Sequence, residues 1–287
     1  MADVRFVKGH GTENDFVLLV DPEREIDLTP RLVAAVCDRR AGVGADGVLR
    51  VVLAAVDPEG AQMSDEARWF MDYRNADGST VEMCGNGIRV FARYLVDAHL
   101  QPPGEFGIAT RDGVKQVRLS MTGDVSVDMG RASFSGPEDV KVTPNGGSGA
   151  RWPAVSVEMG NPHAVVFVDD LAEAGALDVA PVTDPVFPNG VNVEFVVVDG
   201  SPSEHHLSMR VHERGVGETR SCGTGACAVV AAAVQRAGES GPTSYVVDVP
   251  GGTLTVARGP DDRFELTGPA VLVAEGTLRD AWLVAHR

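Results

Sequence analysis

Two short segments of this chain repeat each other and set its architecture: Met83-Cys84-Gly85-Asn86-Gly87 and Ser221-Cys222-Gly223-Thr224-Gly225. Each reads Cys-Gly-(Asn or Thr)-Gly and runs straight into an apolar stretch. After the first come Ile88, Val90, Phe91, Leu95 and Val96 at helical spacing. After the second, Ala226 to Ala237 is small and apolar apart from Gln235 and Arg236. A glycine-rich turn that opens a helix leaves the first amides without intrahelical partners. Such a turn attracts anions, and a cysteine there is expected to be pushed toward its thiolate, from a pKa of about 8.5 to roughly 3.5–7.5. Either segment alone also fits a small buried residue at a tight turn, since free cysteine packs well. The second copy, close to half the chain away, favours a paired site.

The flanks repeat as well. In the first half, strands at Val4–Lys8 and Phe16–Val20 surround a polar turn from Gly9 to Asp15. Thr29-Pro30 starts a helix with Leu32, Val33, Val36 and Cys37 on its apolar face. The glycine turn 42–47 leads into a strand at Val48–Leu53, a polar loop follows at 57–66, and Trp69–Arg74 is a strand before the turn 75–79. Residues 105–129 alternate as two or three antiparallel strands. The stretch Pro137–Pro153 is rich in Pro, Gly, Ser and Asn and reads as a linker.

The order then returns: strand 155–159, polar turn 160–163, strand 164–168, glycine turn 188–192, strand 193–198, strand 207–212, then the second cysteine segment and its helix. Further strands are expected at 245–249, 253–257, 264–267 and 270–275. One helix among several strands, twice over, implies an α+β fold of two pseudo-symmetric lobes, each a mixed or antiparallel sheet around a central helix.

Length and charge narrow the function. At 287 residues with 44% apolar and 23% charged side chains, the chain can bury two cores. A net charge of −16 disfavours nucleic acid and anionic membrane surfaces as partners, though not a small anion held by local amides. The first twenty residues lack a basic segment followed by a long apolar core, so no signal peptide is expected, and the apolar run 228–234 is too short to span a bilayer. Four cysteines in this length make no disulfide scaffold, so the expectation is a cytoplasmic protein with reduced thiols. Cys37 and Cys227 read as core; no His/Cys set has zinc spacing, and Asp72 and Asp77 show no pairing as metal ligands, so neither metal nor cofactor is expected.

If Cys84 and Cys222 face one ligand, one thiolate can take a proton from a carbon and the other thiol can return one to the opposite face. The result is inversion, as in a racemase or epimerase. Charge developing on an adjacent carboxylate would need preorganised donors, which helix N-termini supply.

Over essentially its whole length the chain resembles the diaminopimelate epimerases. The resemblance is carried by GHGTENDF, NADGS followed by MCGNGIR, MGNPH, GVNVEF and ERGVGETRSCGTGAC. It implies conversion of LL-2,6-diaminoheptanedioate to the meso form without a cofactor, in lysine and peptidoglycan precursor synthesis. By the same resemblance Cys84 and Cys222 are the acid and base, in a cleft between lobes 1–121 plus 270–287 and 122–269. Asn14, Asn75, Asn161, Asn192, Glu213 and Arg214 fall on substrate contacts, with Arg214 suited to the distal carboxylate. The amide pairs Gly85–Asn86 and Gly223–Thr224 fall on the reacting carboxylate. His163 is open between a substrate-side role and a structural hydrogen bond. Family members often pair as homodimers.

Two positions depart from the family pattern. Many members have Gln where Gly47 stands, so a contact is missing or comes from elsewhere. Thr224 replaces a common Ser, which leaves the backbone donor intact. The asparagines also fit plain turn chemistry, and Glu213-Arg214 fits a surface ion pair. Two alternatives to the main reading are a proline or hydroxyproline racemase of the same architecture, and a non-enzymatic thiol redox or ligand-binding protein.

Overall fold

The computed structural model describes residues 4–145, 150–200, 204–238, 240–241 and 243–286. The chain divides into two compact units, Met1–Val127 with Pro269–Arg287, and Asp128–Gly268.

In the first unit, β1 (Val4–Gly11) and β2 (Asn14–Val20) form a hairpin. Its turn is only Thr12 and Glu13, both at positive φ (49° and 61°). That is shorter than the seven-residue turn expected from the sequence, because two left-handed residues match the twist of a tight hairpin. Asn14 therefore opens a strand. α1 (Pro30–Cys37) begins as foreseen: the Thr29 hydroxyl accepts the Leu32 amide at 3.2 Å and Pro30 takes the first turn. It covers one face of the sheet with Leu32, Val33, Val36 and Cys37, packed against Val17, Leu19 and Val48.

β3 (Gly47–Leu53) lies parallel to β2, and β4 (Trp69–Asn75) runs antiparallel to β3. The polar 57–66 loop contains one 3₁₀ turn, Ala61–Met63. α2 (Gly85–Asp97) follows. Then come β5 (Gly104–Thr110), parallel to β4, and β6 (Gly113–Leu119), antiparallel to β5. The chain's last strand, Val271–Leu278, returns to pair antiparallel with β1. The sheet wraps α2, which packs on β1, β2, β3, β4, β6 and that last strand. All around α2, residues from Gly85 to Val96 are buried, Arg89 and Arg93 included.

β7 (Val125–Arg131) crosses the division between units. The second unit continues with β8 (Lys141–Thr143), β9 (Trp152–Glu158), β10 (Pro162–Phe167), β11 (Val182–Asp184), β12 (Asn192–Asp199), β13 (His206–Glu213) and β14 (Gly217–Thr219). After α3 (Gly223–Ala237) come β15 (Thr243–Val249), β16 (Gly252–Arg258) and β17 (Arg263–Gly268). β9 and β10 are antiparallel, β10 and β12 parallel, β12 and β13 antiparallel, β13 and β15 parallel, β15 and β16 antiparallel. This is the sequence of pairings in the first unit, and α3 is wrapped as α2 is, against β9, β10, β12, β16 and β17.

One further expectation is corrected. Pro137–Pro153 is not a linker: it lies inside the second unit, where β8 pairs with Trp152 and Pro153. Alternating Val140 and Val142, both buried, are enough to hold a strand within polar surroundings; residues 146–149 lie outside the described ones. A short C-terminal helix, α4 (Asp280–Ala285), was not foreseen; its Leu283 joins the α1 core.

α3 is built almost wholly of Ala and Val because strands close on it from several sides. Ala232 is fully buried there. Ala232→Leu is expected to overpack this helix and cost about 1–3 kcal/mol. Urea unfolding should show a lower midpoint at unchanged slope; an unchanged midpoint would refute such tight packing.

Candidate active site

Both cysteines cap the helices they open. Cys84 is extended (φ −141°, ψ 120°), and its Sγ accepts the Gly87 amide at 3.4 Å. Cys222 is alike (φ −128°, ψ 116°), and its Sγ accepts the Gly225 amide at 3.3 Å. A side chain on either glycine would find little room: an added Cβ would lie 3.3 Å from Leu49 Cδ2 at Gly87, and 2.8 Å from Glu194 Oε1 and 3.2 Å from the Cys222 Sγ at Gly225. Hence the repeated Cys-Gly-x-Gly.

In the first unit Asn14 Oδ1 faces Cys84 Sγ at 3.8 Å and accepts from Asn86 Nδ2 at 3.1 Å. Asn14's amide cannot be reversed, because its Nδ2 donates to the Asp46 carboxylate at 2.8 Å. Asp46 is held by Arg39, which also grips Asp15, and Lys8 binds Asp15 from the other side. Burial would raise the Asp15 carboxyl, but hydrogen bonds from Arg39 and Lys8 outweigh it and hold that group well below the usual carboxylate range.

The Asn86 side chain is tied into the unit at both ends. Its Oδ1 accepts from Arg89 Nη2 at 3.0 Å, and Arg89, fully buried, also reaches Gly85 O (3.0 Å) and Thr12 Oγ1 (3.1 Å). Asn75 ends β4, directly opposite Gly47. A Cβ at Gly47 would stand 2.7 Å from Tyr73 Cε2 and 2.6 Å from the Arg74 carbonyl oxygen, so no side chain fits there while Tyr73 keeps its place. The Tyr73 hydroxyl donates to Asn75 Oδ1 at 2.9 Å, and Asn75 Nδ2 donates to Ser79 Oγ at 3.2 Å. Asp72 is taken up by Arg74 and Arg111.

In the second unit Asn192 Oδ1 accepts the Arg214 amide at 2.8 Å. The Arg214 side chain lies over Gly190, donates to Asn189 O at 3.2 Å, and is exposed. Thr219 Oγ1 donates to Glu213 Oε1. His163 is fully buried: Nδ1 lies 2.7 Å from Glu194 Oε1 and Nε2 lies 2.9 Å from Asn161 Oδ1. Thr224 Oγ1 lies 3.5 Å from Cys222 Sγ.

The electrostatics of Cys222 run against the expectation of a thiolate. Burial first, then the negative charges of Glu213 and Glu194, push its pKa well above the ordinary 9.0; the Thr224 hydroxyl and Gly225 amide lower it by less. Helix-start amides favour the anion, but they act on a sulfur shut away from water between carboxylates. Cys37 is inert by burial, its thiol pushed up to about 12; Cys227 is fully buried on α3.

Sequence reasoning passed over Glu194, Asp46, Tyr73 and Arg89. Two carried a signal: Glu194 is a lone charge in the apolar run Val193–Val198, and Arg89 is charged in a buried helix face.

Paired units, each with a central helix inside a curled sheet, define a class of fold found in solved structures. A Bacillus anthracis phenazine biosynthesis protein of the PhzF family superposes with TM-score 0.71 at 16% identity, over 97% of this chain and all of that one. A hydroxyproline epimerase from Agrobacterium vitis gives 0.68 at 14%, over 96% and 92%. The sequence is more specific. The model of the diaminopimelate epimerase family matches residues 6–135 and 155–273, and a diaminopimelate epimerase of Streptomyces coelicolor is 56% identical over 98% of this chain and 97% of its own length. The chain belongs to the diaminopimelate epimerase family.

Peptide-resolved labelling with iodoacetamide tests the electrostatics. Half-buried Cys84 is expected to react before Cys222, and the Cys222 rate is expected to keep climbing above pH 9, since a raised pKa keeps the proton on where a free thiol has lost it. A Cys222 rate that levels off below pH 8 would contradict the surroundings described.

Proposed function

We propose that this protein is a cofactor-independent epimerase that interconverts LL-2,6-diaminoheptanedioate and the meso isomer. Family membership carries the reading. The repeated cysteine cap supports the mechanism: two thiols, one on each central helix, act on opposite faces of one α-carbon.

In one direction a thiolate takes the α-proton; the C–H bond breaks and an S–H bond forms. The other thiol then gives its proton to the opposite face, and its sulfur is left as the thiolate. The reverse reaction exchanges the roles. Cys222, held as a thiol by burial and two carboxylates, is the proton donor in the state described. Negative charge developing on the substrate carboxylate meets the amides of Gly85, Asn86, Gly223 and Thr224 at the two helix starts. Arg214 binds the distal carboxylate; Asn14, Asn75, Asn161, Asn192 and Glu213 hold the ammonium groups and remaining oxygens. All four cysteines are unbridged, which suits work in the reducing cytoplasm. No described helix is long and apolar enough to cross a membrane.

Reduced protein incubated with LL-diaminopimelate in heavy water should place deuterium at one α-carbon and give the meso isomer. Exchange with proline and not diaminopimelate would move the assignment to proline racemization. No exchange with any amino acid, at full thiol titre, would defeat the enzymatic reading. Cys84→Ser and Cys222→Ser should each lose about a thousandfold or more in rate, since a hydroxyl is a far weaker acid and base than a thiol at neutral pH. Near-native turnover in either variant would make that cysteine structural.

A further inference from the structure

The two units share their strand pairings but place different side chains beneath the second glycine of each helix start, Gly87 and Gly225. In the first unit Phe16 pairs with Gly47 across β2 and β3; in the second, His163 pairs with Asn192 across β10 and β12. Two residues beyond those partners stand Leu49 and Glu194. An added Cβ at Gly87 would meet Leu49 Cδ2 at 3.3 Å and Phe16 Cζ at 3.6 Å; at Gly225 it would meet Glu194 Oε1 at 2.8 Å. All four side chains are fully buried. So one helix start rests on a phenyl ring and an isobutyl group, and the other on a carboxylate that an imidazole holds from 2.7 Å away.

The fold does not require the polar pair, because the apolar one does the same packing in the other unit. Burying a carboxylate and an imidazole costs desolvation that a hydrophobic pair avoids. Glu194 Oε2, moreover, has no hydrogen-bond partner among the described residues. A buried orphan oxygen of this kind needs a reason outside stability.

We propose that Glu194 is a positioning residue for the Cys222 half of the active site. It acts in two ways: it orients Asn161 through His163, and it sets a fixed negative charge under the Cys222 loop. A carboxylate can only accept, so His163 Nδ1 carries a proton toward it; Nε2 of the neutral ring is then an acceptor, and it holds Asn161 with that amide turned so that its NH2 donates to the ring. Among the described residues, Glu194 on β12 and Glu213 at the end of β13 act on the Cys222 thiol, and His163 on β10 faces Glu194. Glu194 and Glu213 both add to the burial that keeps the Cys222 proton on. The first unit has Leu49 in place of this charge, so the two thiols of one reaction are made chemically unlike. The Asn161 part rests on the epimerase reading; the charge part does not.

Two variants separate the parts. Glu194→Gln keeps the shape and an acceptor for His163 but removes the charge. It should raise Cys222 labelling by iodoacetamide at pH 8 about tenfold, a shift of about one pKa unit, with KM for diaminopimelate unchanged. The double variant His163→Phe/Glu194→Leu copies the first unit's pair. It should show the same faster labelling and also a KM raised about tenfold, as Asn161 loses its support. Cys227, buried on the same helix, is the control: loosening of the unit would accelerate both cysteines. A Cys222 labelling profile unchanged in Glu194→Gln, or acceleration shared by Cys227, overturns the charge role. Unchanged KM in the double variant overturns the orienting role. If the wild type does not turn over diaminopimelate while the labelling shift is seen, the function assigned above fails and the charge role stands.

Discussion

A helix that starts inside a protein must find partners for its first amides, and here a sulfur atom takes one of them. Cys84 and Cys222 each sit in extended backbone, cap the turn that follows, and hold the amide three residues on. The remaining amides of that first turn lie next to the same sulfur. One hydrogen bond thus fixes the helix start, aims the donors and places the thiol among them. The rest of each unit supports this arrangement: a sheet curled around the helix on many sides, with buried Arg89 in one unit and an Ala/Val stripe in the other filling the space.

The capping geometry is common to both units, but the electrostatics are not. Beneath Gly87 lie Leu49 and Phe16; beneath Gly225 lies Glu194. Around Cys84 the polar order runs outward, through Asn14 to Asp46, Arg39, Asp15 and Lys8. Around Cys222 it lies inward, at a Glu194 carboxylate sealed from water and held by His163, whose other nitrogen meets Asn161. In the proposed two-thiol reaction the sulfurs need not be identical, and local burial with fixed charge is a means of setting their proton affinities separately.

Much of this was legible in the sequence, because the decisive signals are local. Cys-Gly-x-Gly before an apolar run marks a helix start at both sites, and Thr29-Pro30 marks another. The strand order followed from alternation and glycine turns. What escaped the sequence depends on residues distant along the chain. The raised proton affinity of Cys222 comes from burial and from carboxylates on β12 and β13, where the local amides alone suggested the opposite. The glycine at 47 is explained by Tyr73, a neighbour only through the β3–β4 register. The strand inside Pro137–Pro153 rests on two valines whose burial is a tertiary fact. The Thr12-Glu13 turn needed left-handed backbone at two residues with no glycine between them.

The pairing of Val271–Leu278 with β1 joins the two ends of the chain's path. The second unit is one unbroken segment, whereas the first is interrupted by it. On a ribosome, where N-terminal parts emerge first, this reverses the usual order of completion. The later-made unit has its whole sheet as soon as residue 268 is out, while the earlier-made one still shows β1 as an open edge. That edge, with its unpaired amides and carbonyls, is the surface on which nascent chains of this architecture are most exposed to mispairing with one another.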